Sequence, residues 1–146
     1  MIFMKLNTKY YGEREYNEKD VVTFKKGIPG FEDLKNFILF SVEDDEMFNI
    51  LQSIEDPSTG IIVASPFCLV KNYEFKLDDE KKKELQIGSY EDILVVNTVT
   101  LNSKLENITM NLKAPIIINI KMRLGEQIIL DNPNYPIKYP LFKGGV

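Results

Sequence analysis

The chain has 146 residues, 44% of them hydrophobic and 27% charged, and its Asp and Glu (22) outnumber Lys and Arg (18) to leave a formal net charge of -4. That supplies apolar material for one core, and the acidic balance argues against the basic stripe with which a nucleic-acid module neutralises phosphates. With no histidine and a single cysteine, Cys68, the chain lacks the commonest general base and metal ligand, any intrachain disulfide and any cysteine-rich zinc cluster. A single domain over residues 1–146 in a reducing cytosol is expected. The start, Met1-Ile2-Phe3-Met4-Lys5-Leu6, has no export signal, no later run of about 18 apolar residues suits a membrane helix, and either Met1 or Met4 serves as the native start.

Short bursts of apolar and polar alternation, the period of a half-buried strand, predict a mostly β chain. In chain order the first strand candidate is Val21 to Phe24. Gly27-Ile28-Pro29-Gly30-Phe31-Glu32 follows as a shaped loop, because glycine admits positive φ while Pro29 locks its own φ and extends Ile28. Phe37 to Val42, Phe48 to Ile54 and Gly60 to Ala64 come next, with Glu43-Asp44-Asp45-Glu46 and Glu55-Asp56-Pro57 reading as turns. Pro66-Phe67-Cys68-Leu69-Val70 is apolar and predicts a buried, inert Cys68. Tyr73, Phe75 and Leu77 then oppose Asn72, Glu74 and Lys76 across a strand.

One segment departs from the β pattern. Asp78 to Gln86 is rich in helix formers, with acids first and lysines later to complement the helix dipole, and Gly88 suits a left-handed stop. A short helix over about residues 79–86 is expected, pinned by Leu85 and Ile87. Asp92 to Leu101, a strand of Ile108, Met110 and Leu112, Pro115 to Met122 and Glu126 to Leu130 complete the strands. The last two are joined by a hairpin turn at Met122 to Gln127. Prolines 133, 136 and 140 each remove a backbone donor, so residues 135–146 read as an extended surface tail without a regular ladder. So many short strands with frequent turns close most readily into a small antiparallel β-barrel, which removes exposed edges.

Catalytic constellations are wanting. The acid pairs lack the apolar flanks that raise a carboxylate pKa, Ser53 and Ser65 have no histidine to activate them, and Gly144-Gly145 has no phosphate-loop spacing. No cofactor and no metal is expected. Recognition makes better sense of what remains: Phe31 beside Glu32 and Asp33 offers an apolar anchor with an acidic rim, and Glu55 and Asp56 add charge in a second turn. The alternative for Phe31 is a plug at the end of the core, and for Glu55 and Asp56 a plain turn. An RNA-binding small barrel is the second functional class, requiring Tyr10, Tyr11, Tyr90, Lys9 and the lysines near residue 82 to meet on one face.

Four stretches in order, Lys9-Tyr10-Tyr11-Gly12, Gly27 to Glu32, Leu51-Gln52-Ser53-Ile54-Glu55-Asp56-Pro57 and Asn111-Leu112-Lys113-Ala114-Pro115-Ile116-Ile117-Ile118-Asn119, resemble the FliW family of flagellar assembly factors. The resemblance continues through Gly125 to Leu130 and Tyr135-Pro136-Ile137, and so covers nearly the whole chain. It implies a small cytosolic barrel-like protein without enzymatic activity and with two partners. One is flagellin before export; the other is the RNA-binding carbon storage regulator CsrA, which represses translation of flagellin message. Competition between the two would make a partner switch, without direct contact to nucleic acid or membrane. Phe31, Glu32, Asp33, Glu55 and Asp56 are the expected partner-binding residues.

Overall fold

Ile116-Ile117-Ile118 shows no polar alternation, and its position in the fold gives the reason. The strand is covered on both faces, and all three side chains are at most 1% exposed. The computed structural model describes residues 3–42 and 47–142. Met1, the Glu43 to Glu46 acid run and Gly144-Gly145 lie outside them.

The elements run β1 (Phe3–Thr8), β2 (Gly12–Asn17), β3 (Val22–Thr23), β4 (Asn36–Ser41), β5 (Phe48–Ser53), β6 (Gly60–Ala64), α1 (Pro66–Leu69), α2 (Asp79–Glu84), β7 (Ile93–Thr100), β8 (Thr109–Met110), β9 (Ile116–Asn119), β10 (Leu124–Gln127) and β11 (Tyr139–Pro140). Strands β7, β6, β5, β4, β3, β10 and β9 pair in that order, and β9 pairs back onto β7, closing a seven-stranded barrel. Its pairings are antiparallel except for one parallel bridge, Leu124 to Thr23, between β10 and β3.

Inside lie Val22, Phe24, Ile28, Phe37, Leu51, Val63, Val96, Ile116 and Ile118, with the rings of Phe24 and Phe37 edge to face at 5.4 Å. Outside, Leu85 and the half-buried Ile87 pack on Val95, Ile117 and Leu124, so the residues expected to pin the helix do so. A third cluster joins Tyr73, Val99, Met110 and Leu112 to the half-buried Tyr135 and Tyr139 of the C-terminal segment.

Several elements differ from the sequence expectation. Residues 72–77 keep their alternation, with Tyr73 buried and Phe75 and Leu77 half-buried against exposed Asn72, Glu74 and Lys76, but they form no ladder. The segment is held by side chains instead: the Tyr73 hydroxyl donates to the Leu112 carbonyl at 2.7 Å, and the Tyr135 hydroxyl accepts the Glu74 N–H at 3.0 Å. The strand through Ile108 to Leu112 shrinks to β8, and the apolar run at Cys68 contains the one-turn helix α1. Cys68 itself is exposed, because that turn directs Pro66 and Val70 inward.

Helix α2 ends at Glu84, and Gln86, at φ 55°, takes the left-handed position expected of Gly88. The hairpin turn is at Ile120 to Arg123, with Arg123 at φ 56°, earlier than Gly125 suggested. Gly125 sits inside β10, where a Cβ would come within 2.6 Å of the Phe24 ring, so it serves packing rather than turning. The tail does form a short ladder: Tyr139 and Pro140 pair with Met110 and Thr109, at a sheet edge where proline is tolerated. The β1–β2 hairpin was not legible in the sequence, because its strands are largely exposed on both faces and carry little alternation.

Candidate functional site

Strand direction gathers the candidate residues. The pairs Thr23 with Asn36, Phe37 with Ser53, and Gln52 with Gly60 put the β3–β4 loop and the β5–β6 turn at the same end of the barrel. The C-terminal ends of β7 and β10 and the entry to β9 arrive at this end too. Phe31, Glu32, Asp33, Glu55 and Asp56 therefore share one mouth.

The β3–β4 loop is built by its glycines. Gly27, at φ 69°, leaves no room for a side chain, since a Cβ would come within 2.6 Å of the Glu32 backbone. The Phe31 N–H donates to the Ile28 carbonyl at 2.7 Å and the Leu34 N–H to the Phe31 carbonyl at 3.0 Å. Ile28, at 2% exposed, is the residue that plugs the core, and Phe31 remains 40% exposed. The Glu32 carboxylate folds back to accept the Gly30 N–H at 3.1 Å. That backbone bond, its own N–H and nearby Lys35 hold its pKa below the usual carboxylate value.

The β5–β6 turn is equally well tied. Ser53 Oγ accepts the N–H groups of Glu55 and Asp56, and buried Gln52 donates to the carbonyl of Ser53 at 3.0 Å and of Pro57 at 3.2 Å. Glu55 Oε1 accepts the N–H groups of Lys35 and Asn36 at 2.7 and 2.8 Å, stapling the turn to the end of the β3–β4 loop. Asp56 accepts from the Ser58 and Thr59 hydroxyls at 2.7 and 2.8 Å and from the Ser58 N–H, which lowers its pKa. Among the described residues none of Glu32, Asp33, Glu55 and Asp56 forms an ion pair. The charges of Glu32, Glu55 and Asp56 are held by neutral donors, and Asp33 beside them is exposed.

Beside them opens a groove of about 800 Å³. Its walls include Ile28, Pro29 and Phe31 from the loop, Gly60 to Ile62 of β6, Thr98 to Thr100 of β7, Lys113 and Ala114 before β9, Gln127 and Ile129 at and beyond the end of β10, and Ile137 of the tail. Ile129 is 73% and Ile137 57% exposed, and together with Phe31 they border one groove rather than standing alone on the surface. Sequence reasoning missed this groove. Its lining comes from six separated stretches, and the signal available was only that Ile137 stands between Pro136 and Lys138, while Ile129 lies in the apolar run Ile128-Ile129-Leu130 like any core residue.

Lys26, close to the loop in sequence, turns elsewhere. It reaches Glu84 at 3.3 Å and Glu126 at 3.6 Å, and Lys81 pairs with the same two carboxylates. These groups clamp α2 to β10. Lys9 lies over Tyr10 at 5.3 Å in the β1–β2 turn, and Lys82 over Tyr90 at 5.2 Å beside α2. Among the described residues no contact joins these two cation–aromatic pairs into one face, no group of His, Cys, Asp or Glu is arranged to hold a metal, and no helix is long and apolar enough to cross a membrane.

Comparison with known proteins bears on this architecture. The FliW protein family matches residues 5–141. The chain belongs to the FliW family. A protein of Clostridium kluyveri named flagellar assembly factor FliW is 66% identical, with 98% of this chain and 99% of that protein covered, and one of Clostridium novyi is 60% identical over 98% and 100%. A crystal structure of the flagellar assembly factor FliW superposes with a TM-score of 0.89 at 43% identity, covering 98% of this chain and all of that one. The stretches that carried the FliW resemblance have distinct structural tasks here. Gln52 and Ser53 build the acidic turn, Asn111 accepts the N–H groups of Lys113 and Ala114, and buried Asn119 donates to the carbonyls of Leu85 and Gln86.

Proposed function

We propose that this chain is a non-catalytic regulator of flagellar assembly that works in the cytosol by binding proteins. CsrA and flagellin are its competing partners. The observation that carries the reading is the match of nearly the full chain to proteins named flagellar assembly factor FliW. The mouth supports it physically. CsrA binds RNA and so displays basic residues, and four carboxylates beside an apolar groove complement such a surface by charge and by desolvation. In this reading Phe31 anchors the contact, while Glu32, Asp33, Glu55 and Asp56 steer it.

Calorimetric titration with CsrA, with and without excess flagellin, tests the reading. Binding abolished by flagellin is the expected result. Failure to bind either protein overturns it.

A further inference from the structure

The mouth holds an irregularity in the barrel wall. Strand β6 begins at Gly60 and pairs with β5 along its whole length, yet its ladder with β7 comprises only Val63 with Thr98 and Ala64 with Asn97. Past that point the strands part, and the end of β7 takes β8 on its other side, with Val99 opposite Met110 and Thr100 opposite Thr109. The Gly60 to Ile62 edge of β6 and the Val99 to Thr100 edge of β7 both border the groove. An open edge of this kind is a template for another strand.

The charge around the gap selects what enters it. The Glu32 carboxylate is bonded to Gly30, which sits between the groove residues Pro29 and Phe31. The Asp56 carboxylate is bonded to Thr59, directly before the groove residue Gly60. The groove lining itself is apolar apart from Lys113, backbone and a few hydroxyl and amide groups, and it presents Phe31, Ile129 and Ile137 to solvent.

We infer that the groove receives an extended segment of a protein partner, apolar on alternate residues and basic at its flanks, which adds as a strand along Gly60 to Ile62 of β6. Alternate side chains of such a strand face Phe31, Ile129 and Ile137, its backbone meets the open edge, and its flanking cations meet Glu32 and Asp56. This rests on the protein-binding reading above and specifies its mode. Gly60 itself is kept by packing against β5, since a Cβ there would stand 2.9 Å from the buried Gln52 side chain.

The experiment records amide spectra and hydrogen exchange of the full chain with a short peptide of alternating valine and threonine ending in a lysine on each side, and then with flagellin and with CsrA. Slowed exchange at Gly60, Ile62 and Val99, whose N–H groups face the gap, is expected, and so is a loss of about tenfold in peptide affinity in Ile129→Glu. The same peptide ended in glutamates should bind more weakly. Protection elsewhere, none at all, or unchanged affinity in Ile129→Glu overturns the inference. If flagellin or CsrA binds without protecting this edge, the strand mode fails and the protein-binding reading stands. If the peptide binds at the edge while both proteins fail to bind, the groove stands and the choice of partners fails.

Discussion

Carboxylates do opposite things beside α2 and at the mouth of the barrel. Beside α2, Glu84 and Glu126 are consumed by Lys26 and Lys81, so their charge is spent on holding a helix against the barrel. At the mouth, Glu32, Glu55 and Asp56 accept only from backbone N–H and hydroxyl groups, which order them without cancelling their charge. The contrast teaches that acidic content alone says little about a binding face. What matters is whether the bond that orders a carboxylate carries a compensating charge.

The largest expected effect breaks the clamped region. Asn119 is 1% exposed, donates to the carbonyls of Leu85 and Gln86, and accepts the N–H groups of Lys121 and Met122. Asn119→Ala should destabilise the fold by about 4 kcal/mol, since several buried polar groups lose their partners, and urea unfolding measures it. At the mouth, Gly27→Ala should cost about 2 kcal/mol through the positive φ and the approach to Glu32, and it should also displace Phe31. A fall in partner affinity larger than the fall in stability would mark the loop as a binding element.

Removing charge separates the regions by function. The double change Glu32→Gln and Asp33→Asn should slow association with a basic partner by about tenfold at low salt, while Glu80→Gln on α2 leaves the rate unchanged; stopped-flow kinetics at two ionic strengths decides. Equal slowing by both would dissolve the contrast.

Titration separates them by pH. Glu32, Asp56 and Glu84 have folded pKa values lowered from 4.5, 3.8 and 4.5 by the hydrogen bonds they accept. Their stabilisation is complete above those ordinary values and is lost as pH falls through the depressed ones. Lys81 is raised above 10.5, chiefly by its bond to Glu126, so its contribution is complete below 10.5 and is lost as pH rises through the raised value. Melting temperature against pH should therefore show an acid limb from both regions and an alkaline limb from the clamp. Glu126→Gln should flatten the alkaline limb and leave the acid contribution of the mouth in place.

The smallest effect is expected at Cys68, which is exposed on α1. Cys68→Ser should change stability by less than about 0.5 kcal/mol, and the wild-type thiol should react with an alkylating reagent in the folded state. Protection from the reagent would return Cys68 to the core.

Much of the barrel was legible because half-buried strands alternate and buried ones are continuously apolar. Strands such as Gly60 to Ala64 announce themselves on that basis, and Asp78 with the lysines after it announces the helix. Tyr73 to Leu77 shows the limit of the signal: alternation reports which side chains face inward, and the hydrogen bonds that make a strand depend on a neighbour far away in the chain. Gly125 shows it again, since a glycine kept for the Phe24 ring looks locally like one kept for a turn.

By itself the sequence determined a mostly β chain, its short helix, the shaped Gly27 to Glu32 loop, the acidic turns and the resemblance to FliW, because each is written in local composition or contiguous motifs. Only the tertiary structure decided the closure through the parallel Leu124 to Thr23 bridge and the gathering of Phe31, Glu32, Asp33, Glu55 and Asp56 at one mouth. It also decided the groove to which Ile129 and Ile137 contribute. Those features depend on which strand ends meet in space, and strand order is set by burial of the whole core rather than by any segment's own pattern.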